Sequence, residues 1–471
     1  MKLTSWGAAL NVTGSMHLLT TSDGSHILID CGIDYSSRSR FLELNGNFPF
    51  DPSGIHAVIL THAHVDHCGN LPNLIKQGFE GKIYCTPATR ELSYYLLEDS
   101  LKIQESEARK SISQFSKKGK KQKGNKQHKS YMLYTHKHLK KTIEQMVVYE
   151  FEQPFKLTHS VQCQFYKAGH ILGAASAFIE ETHLGRTQSI GFTGDLGKSN
   201  STLMPDPSPL PKPDVLVCEA TYGGRFHTDK QDPRDILLEH IQKTCVNLSG
   251  KLIIPAFSVG RTQAILFTLH QLYREGRLPN IKIYTDSPLA IKTTELYQLY
   301  PELLNAEARE FNQVQGDLFK FDPLHTLTDS KHSMYISAGY EPCVIVSAAG
   351  MAEGGRIQEH IRNNISNPYA TILIAGFCAE GTLGHALLQG KSTLIINKKE
   401  RSVMAQIKRT DVYSAHPDHA GLLQYITQST GSNLRKLILV HAEPKNAEAL
   451  LKDLKHLPAQ VAQKGQEVAL F

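Results

Sequence analysis

Residues 61 to 70 read THAHVDHCGN and place three imidazoles and a carboxylate, His62, His64, Asp66 and His67, within six positions. Neutral imidazole nitrogens and carboxylate oxygens are the ligands zinc takes, and a catalytic zinc keeps one position open for water. His62 and His64 are two apart, so in an extended segment they point the same way, whereas Asp66 and His67 follow where the chain turns and can face a second point. Four donors in one loop cannot complete two tetrahedral shells. Others must arrive from distant sequence, and three candidates stand where loops should gather. His170 lies between Gly169 and Gly173 after a predicted strand at 161 to 167, Asp195 lies in FTGDLG (192 to 197) past another strand, and His416 lies in SAHPDHAG (414 to 421) before a predicted helix. Any one alone reads as a loop residue bonded to nearby backbone; with the opening hexad they read as one constellation.

The elements that must hold these residues follow from the pattern of apolar runs. HILID (26 to 30), HAVIL (56 to 60), KIYC (82 to 85), QSIGFT (188 to 193) and DVLVC (214 to 218) are short apolar runs bounded by polar loops and read as buried strands. ATRELSYYLLEDSLKIQESEARK (88 to 110) spaces Leu92, Tyr95, Leu96 and Ile103 for a helix face. A proline-rich linker, MPDPSPLPKPD (204 to 214), interrupts this first region. From about 230 the rhythm becomes strand, loop, helix in four successive units at 251 to 276, 282 to 300, 343 to 361 and 370 to 388, which predicts a parallel, doubly wound sheet. KLILV (436 to 440) and a helix near 443 to 455 close the chain.

With 471 residues the chain is long enough for about two or three domains. Its N-terminal stretch, whose apolar residues are interrupted by Asn11, Thr13, Gly14 and Ser15, reads as neither a signal peptide nor a spanning helix. Eight cysteines without a C-x-x-C pair argue against a disulfide framework and a cysteine-type zinc ribbon, so a reducing cytoplasm is the expected home. The net charge of +6 is local: Lys117 to Lys129 holds seven lysines, and 6 − 7 leaves −1 for the rest. A solvated loop is the plain reading of that run; a phosphate-attracting arm, with Lys117, Lys118, Lys120 and Lys121 in it, is the sharper one.

The ligand pattern H-x-H-x-D-H, with a distal histidine, an aspartate after a strand and a last histidine, resembles the metallo-β-lactamase fold. That resemblance implies two zinc ions, one held by His62, His64 and His170, the other by Asp66, His67 and His416, with Asp195 bridging and Asp30, at the end of LIDCG, steadying the ligands. CEATYGG (218 to 224), PAFSVGRTQ (255 to 263), DSPLA (286 to 290), SAAGMAEGGR (347 to 356) and AEGTLGHALL (379 to 388) resemble the β-CASP nucleases, which split that fold with a second α/β domain.

The fold class implied is an αββα sandwich interrupted by a mainly parallel, doubly wound sheet, with the sandwich at 1 to 222 and 393 to 471, the insertion at 223 to 392 and the lysine loop at 113 to 130. The family's acidic motif matches Glu219, and its two histidine motifs match His385 and His416. The activity implied is hydrolysis of RNA phosphodiester bonds by water that two metal ions activate, Asp66 and His416 among the catalytic groups. His385, oriented by Glu219, is the expected proton donor, and the expected products carry a 5′-phosphate and a 3′-OH. Endonuclease and 5′ to 3′ exonuclease modes and self-association are left open, and no membrane partner is expected. Gly260, Arg261 and Thr262 lie where a strand hands over to a helix and suit a phosphate or, for Thr262, a simple cap. HAEP at 441 to 444 departs from the family's HGE and leaves His441 without an assigned role. A thioester-type hydrolase and a catalytically silent RNA-binding subunit are the competing readings.

Overall fold

The computed structural model describes residues 1–117, 132–396 and 399–471, with backbone alone described for 111–117. Two seven-stranded sheets carry the sandwich. The first orders its strands as Glu467–Ala469, Lys2–Gly7, Met16–Thr20, His26–Ile29, Ala57–Ile59, Lys82–Cys85 and Met146–Val148. The second runs Ala459–Val461, Lys436–Val440, Val215–Glu219, Arg186–Phe192, Ala175–His183, Val161–Lys167 and Phe155–Lys156. Side chains alternate across each strand, so one set from each sheet must meet the other sheet. Leu3, Leu19, Ile27 and Ile59 of the first sheet pack with Val161, Phe165, Ile190 and Val217 of the second.

The opposite faces are covered by helices. Leu28, Val58 and Ile83 pack beneath Leu71–Lys76, Pro87–Lys117 and His136–Gln145, joined by Leu74, Leu97 and Leu139. Leu216, Cys218 and Leu437 of the second sheet meet Leu422, Ile426 and Leu450 from His419–Ser429 and Pro444–Asp453. These layers are the expected αββα arrangement.

The third sheet has six strands, ordered Leu324–Thr326, Lys282–Asp286, Cys343–Ser347, Lys251–Pro255, Thr371–Ile374 and Gln406–Arg409, and every pairing within it is parallel. Parallel strands buried on both faces read as unbroken apolar runs, and KLIIP shows it: Leu252 and Ile254 face one helix layer and Ile253 the other. The sheet's last strand comes from beyond residue 392, where the insertion was expected to end. The hairpin of Thr393–Ile396 and Lys399–Ser402 also sends Leu394 and Ile396 into the same core, so this body runs to Arg409. The core on the Leu252 face continues into the sandwich through Ala63, Ala168, Ile171 and Leu172, which ties the third sheet to the loops that carry the ligand candidates.

Candidate metal centre

The ligand loops leave one edge of the sandwich, at the C-terminal ends of strands. Asp30 follows His26–Ile29, residues 61 to 67 follow Ala57–Ile59, His170 follows Val161–Lys167, Asp195 follows Arg186–Phe192 and His441 follows Lys436–Val440. Asp30 and His441 adopt left-handed backbone, with φ of 59° and 53°, so the chain turns sharply as it leaves each strand.

Eight donor atoms gather in two groups. In the first, His64 Nδ1 lies 3.1 Å from His62 Nε2 and 3.2 Å from His170 Nε2, and both Nε2 atoms lie 3.7 Å from Asp195 Oδ2. In the second, His67 Nε2 lies 3.3 Å from His441 Nε2, 3.3 Å from Asp195 Oδ1 and 3.9 Å from Asp66 Oδ2, with His441 Nε2 3.4 Å from the latter. A tetrahedral ion with bonds of about 2.0–2.1 Å separates its ligand atoms by about 3.3 Å. The first quartet and the triad of Asp66, His67 and His441 are compatible with that shape, and Asp195 Oδ1 stands 3.3 Å from the triad at His67 Nε2.

Hydrogen bonds behind the ligands aim their lone pairs inward. Asp30 is buried and accepts from Thr61 N and Oγ1 at 2.8 and 2.9 Å and from His67 Nδ1 at 2.7 Å, which leaves His67 Nε2 free. Thr61 Oγ1, its proton given to Asp30, accepts from His62 Nδ1 at 3.1 Å. Thr221 Oγ1 donates to the His441 carbonyl and accepts from His441 Nδ1, each at 3.1 Å. Such outer bonds fix the tautomer a metal needs. Asp195 Oδ1 is buried and makes no hydrogen bond among the described residues, an orphaned acceptor that a cation would satisfy.

Electrostatics agree. Burial, aided by neighbouring imidazoles, lowers His64 to about 4 and holds His62 and His170 well below the ordinary histidine value, which favours the neutral rings that a metal ion takes. At His67 burial opposes charge, but Asp195 and Asp30 outweigh it and raise the group. A cation beside His67 would relieve that excess of negative charge.

The structure corrects the expected set at two positions. His416 does not join Asp66 and His67; His441 takes that place. His416 Nδ1 instead donates to Glu219 Oε1 at 3.0 Å, and its Nε2 turns toward Asp195 Oδ2 at 4.0 Å. Glu219 is fully buried, and its carboxylate also accepts from Leu196 N and Thr221 N at 2.7 and 3.2 Å. Burial works against a charged His416, but Glu219 and then Asp195 and Asp66 raise it to about 9. His385, expected beside Glu219, sits in the short helix Leu383–Leu388, where Gln389 Nε2 donates to its Nε2 at 3.1 Å, and no contact joins it to Glu219 among the described residues. The signal for His441 was present in the sequence: it ends the apolar run KLILV as Asp30 ends HILID.

Gly260, with φ of 83°, caps the helix Arg261–Arg274, so Thr262 is not the cap; its hydroxyl donates to Phe257 O at 2.7 Å. Arg261 is buried over the Phe257 ring, 4.7 Å away, with Nη1 lacking a hydrogen-bond partner among the described residues. Lys118, Lys120 and Lys121 lie outside the described residues, as does the side chain of Lys117.

Comparisons with known proteins follow the same division. A model of the metallo-beta-lactamase superfamily matches residues 11–239, one of the Beta-Casp domain matches 262–387, and one of the Zn-dependent metallo-hydrolase RNA specificity domain matches 400–469. Ribonuclease TTHA0252 of Thermus thermophilus is 31% identical over 100% of this chain and 98% of its own length. An RNase J-like protein of Methanocaldococcus jannaschii is 30% identical over 88% of this chain and 87% of its own. The transcription termination factor FttA of Methanosarcina mazei is 30% identical over 90% of this chain, which spans 64% of that protein.

Proposed function

This chain belongs to the metallo-beta-lactamase superfamily, in the branch that carries a Beta-Casp domain, and from that premise we propose that it is a zinc-dependent ribonuclease with two ions per chain. The observation that carries the reading is a donor quartet that includes Asp195 beside a donor triad of Asp66, His67 and His441, with the His416 imidazole turned toward Asp195. Zinc suits a set of five histidine nitrogens and aspartate oxygens. Two divalent ions, when bound, supply charge that polarises phosphoryl oxygens and lowers the pKa of water.

The chain's own groups do the rest. His62, His64 and His170 with Asp195 would hold one ion, and Asp66, His67 and His441 with Asp195 the other. His416 would donate from Nε2 to the departing ribose oxygen, with Glu219 holding Nδ1. This assignment replaces His385 as the donor. Water, not the neighbouring 2′-OH, is the proposed nucleophile, so the products would carry a 5′-phosphate and a 3′-OH. Gly260, Arg261 and Thr262 are the proposed phosphate contacts, supported by the unpartnered Arg261 Nη1. The substrate is RNA, cut internally with 5′ to 3′ trimming as a second mode, in RNA processing or decay. The relatives named as ribonucleases support this.

Incubating the purified protein with 5′-labelled and 3′-labelled structured RNA, with and without chelator, tests the proposal. Cleavage should stop with the chelator. A 2′,3′-cyclic phosphate among the products would overturn the water mechanism.

A further inference from the structure

Behind the second donor group runs a chain of hydrogen bonds that starts on the second and third strands of the first sheet, Lys2–Gly7 and Met16–Thr20. His17, on Met16–Thr20, is buried; its Nδ1 lies 3.0 Å from Ser5 Oγ and its Nε2 lies 3.3 Å from Ser15 Oγ. Ser15 Oγ in turn lies 3.5 Å from Asp30 Oδ2, the oxygen that accepts from His67 Nδ1 at 2.7 Å.

Chemistry sets the direction of every link. A carboxylate only accepts, so the Ser15 hydroxyl donates to Asp30 and has only lone pairs left for His17. His17 must then donate from Nε2, and its bare Nδ1 accepts from the Ser5 hydroxyl. Burial, then the charges of His67 and His441, lowers His17 to about 3, which keeps it a neutral ring with one N–H. The bonds from Ser5, His17 and Ser15 therefore run toward Asp30, where they meet the bond donated from the other side by His67 Nδ1, and that bond leaves the lone pair on His67 Nε2. The space enclosed by Ser15, His17, Asp30, His67, Asp195 and His441 is about 10 Å³. That is room for one water molecule at most, so in the intact protein the side chains themselves supply the hydrogen bonds to Asp30.

We infer that His17 and Ser15 are positioning residues for the metal centre: through Asp30 they hold His67 in the tautomer and orientation that bind an ion at the Asp66, His67, His441 group. The inference rests on the two-ion reading above. The first donor group leans on Asp30 too, through Thr61, but Thr61 bonds Asp30 twice and does not depend on Ser15. The effect should therefore fall on one of two ions.

The test is zinc affinity, measured by competition with a graded series of chromogenic chelators on the full-length protein, with bound zinc counted by atomic absorption. His17→Phe keeps a ring but removes both bonds. It should weaken one of the two zinc ions by about 10- to 100-fold, the usual cost of losing an outer-shell partner, and leave the other within about twofold. His17→Gln, with a donor and an acceptor on one amide, should restore most of the loss. Ser15→Ala, a smaller change that breaks the same run, should reproduce the loss of His17→Phe and serves if the latter does not fold. Wild-type affinity at both sites in Ser15→Ala or His17→Phe would overturn the inference, as would equal weakening of both ions. A wild-type protein that binds fewer than two zinc ions would overturn the two-ion reading itself, and that result is read before any variant is made.

Discussion

Two histidines thirty-one positions apart compete for the role of proton donor, and their surroundings separate them. His416 faces Glu219 on one side and the Asp195 carboxylate on the other, whereas His385 is paired with Gln389 on its own helix. His416→Ala should lower kcat for RNA cleavage by about 10²- to 10⁴-fold, the usual worth of a general acid, with zinc content unchanged. His385→Ala should keep kcat within a few-fold of wild type. Steady-state kinetics with a short labelled RNA decides between them. His441→Ala makes a separate prediction, because its Nε2 completes the second donor group. Bound metal should fall from two ions per chain toward one, measured by atomic absorption, and RNA cleavage should be lost. The hexad, His170 and Asp195 were legible in the sequence because each type and spacing is chemically explicit. The exchange of roles between His416 and His441 was not, because two histidines at loop starts look alike until Glu219 is seen to face only one of them.

Loops that carry ligands are held by backbone packed against backbone. Gly197, two residues after Asp195, lies so close to the His170 loop that a β-carbon there would sit 2.0 Å from the Gly169 carbonyl oxygen, and Gly197 N donates to Ala168 O at 2.7 Å. The two loops therefore keep their spacing only if one residue lacks a side chain. Gly197→Ala should push them apart at a cost of about 1–3 kcal/mol, the range for overpacked sites, seen as a lower thermal midpoint and weaker binding of the ion in the first group. The buried strands and the four strand-helix units of the third sheet were legible because unbroken apolar runs leave few alternatives. The edge strand Leu324–Thr326 and the strand Gln406–Arg409 were not, since LHT and QIKR carry little apolar signal and owe their pairing to the neighbour they meet.

The sandwich and the third sheet share one core, and a polar stitch joins the segments that connect them. Asp411, just past the third sheet's last strand, accepts from Thr228 N, Thr228 Oγ1 and Asp229 N at 2.8, 3.0 and 3.1 Å; Asp229 Oδ2 accepts in return from Thr410 Oγ1 and Asp411 N at 2.6 and 3.0 Å. Arg225, from the loop after Glu219, stacks over Phe377 at 4.3 Å beside it. Burial alone would raise the Asp411 carboxyl, but the Thr228 and Asp229 backbone donors outweigh it, and the net shift is downward. A carboxyl depressed in the folded state contributes stability in full above its unfolded value of about 3.9 and loses it as pH falls through the folded value. Asp411→Asn cannot titrate, and its amide nitrogen cannot accept. The variant should therefore melt below wild type at pH 6, and the gap should narrow steadily as pH falls below about 4 and wild type loses the same charge. Thermal midpoints for both proteins at pH 6, 5, 4 and 3 test this. A gap that stays constant across that range would mean that the stitch holds by shape alone and that the charge of Asp411 contributes nothing to the seating of the two bodies.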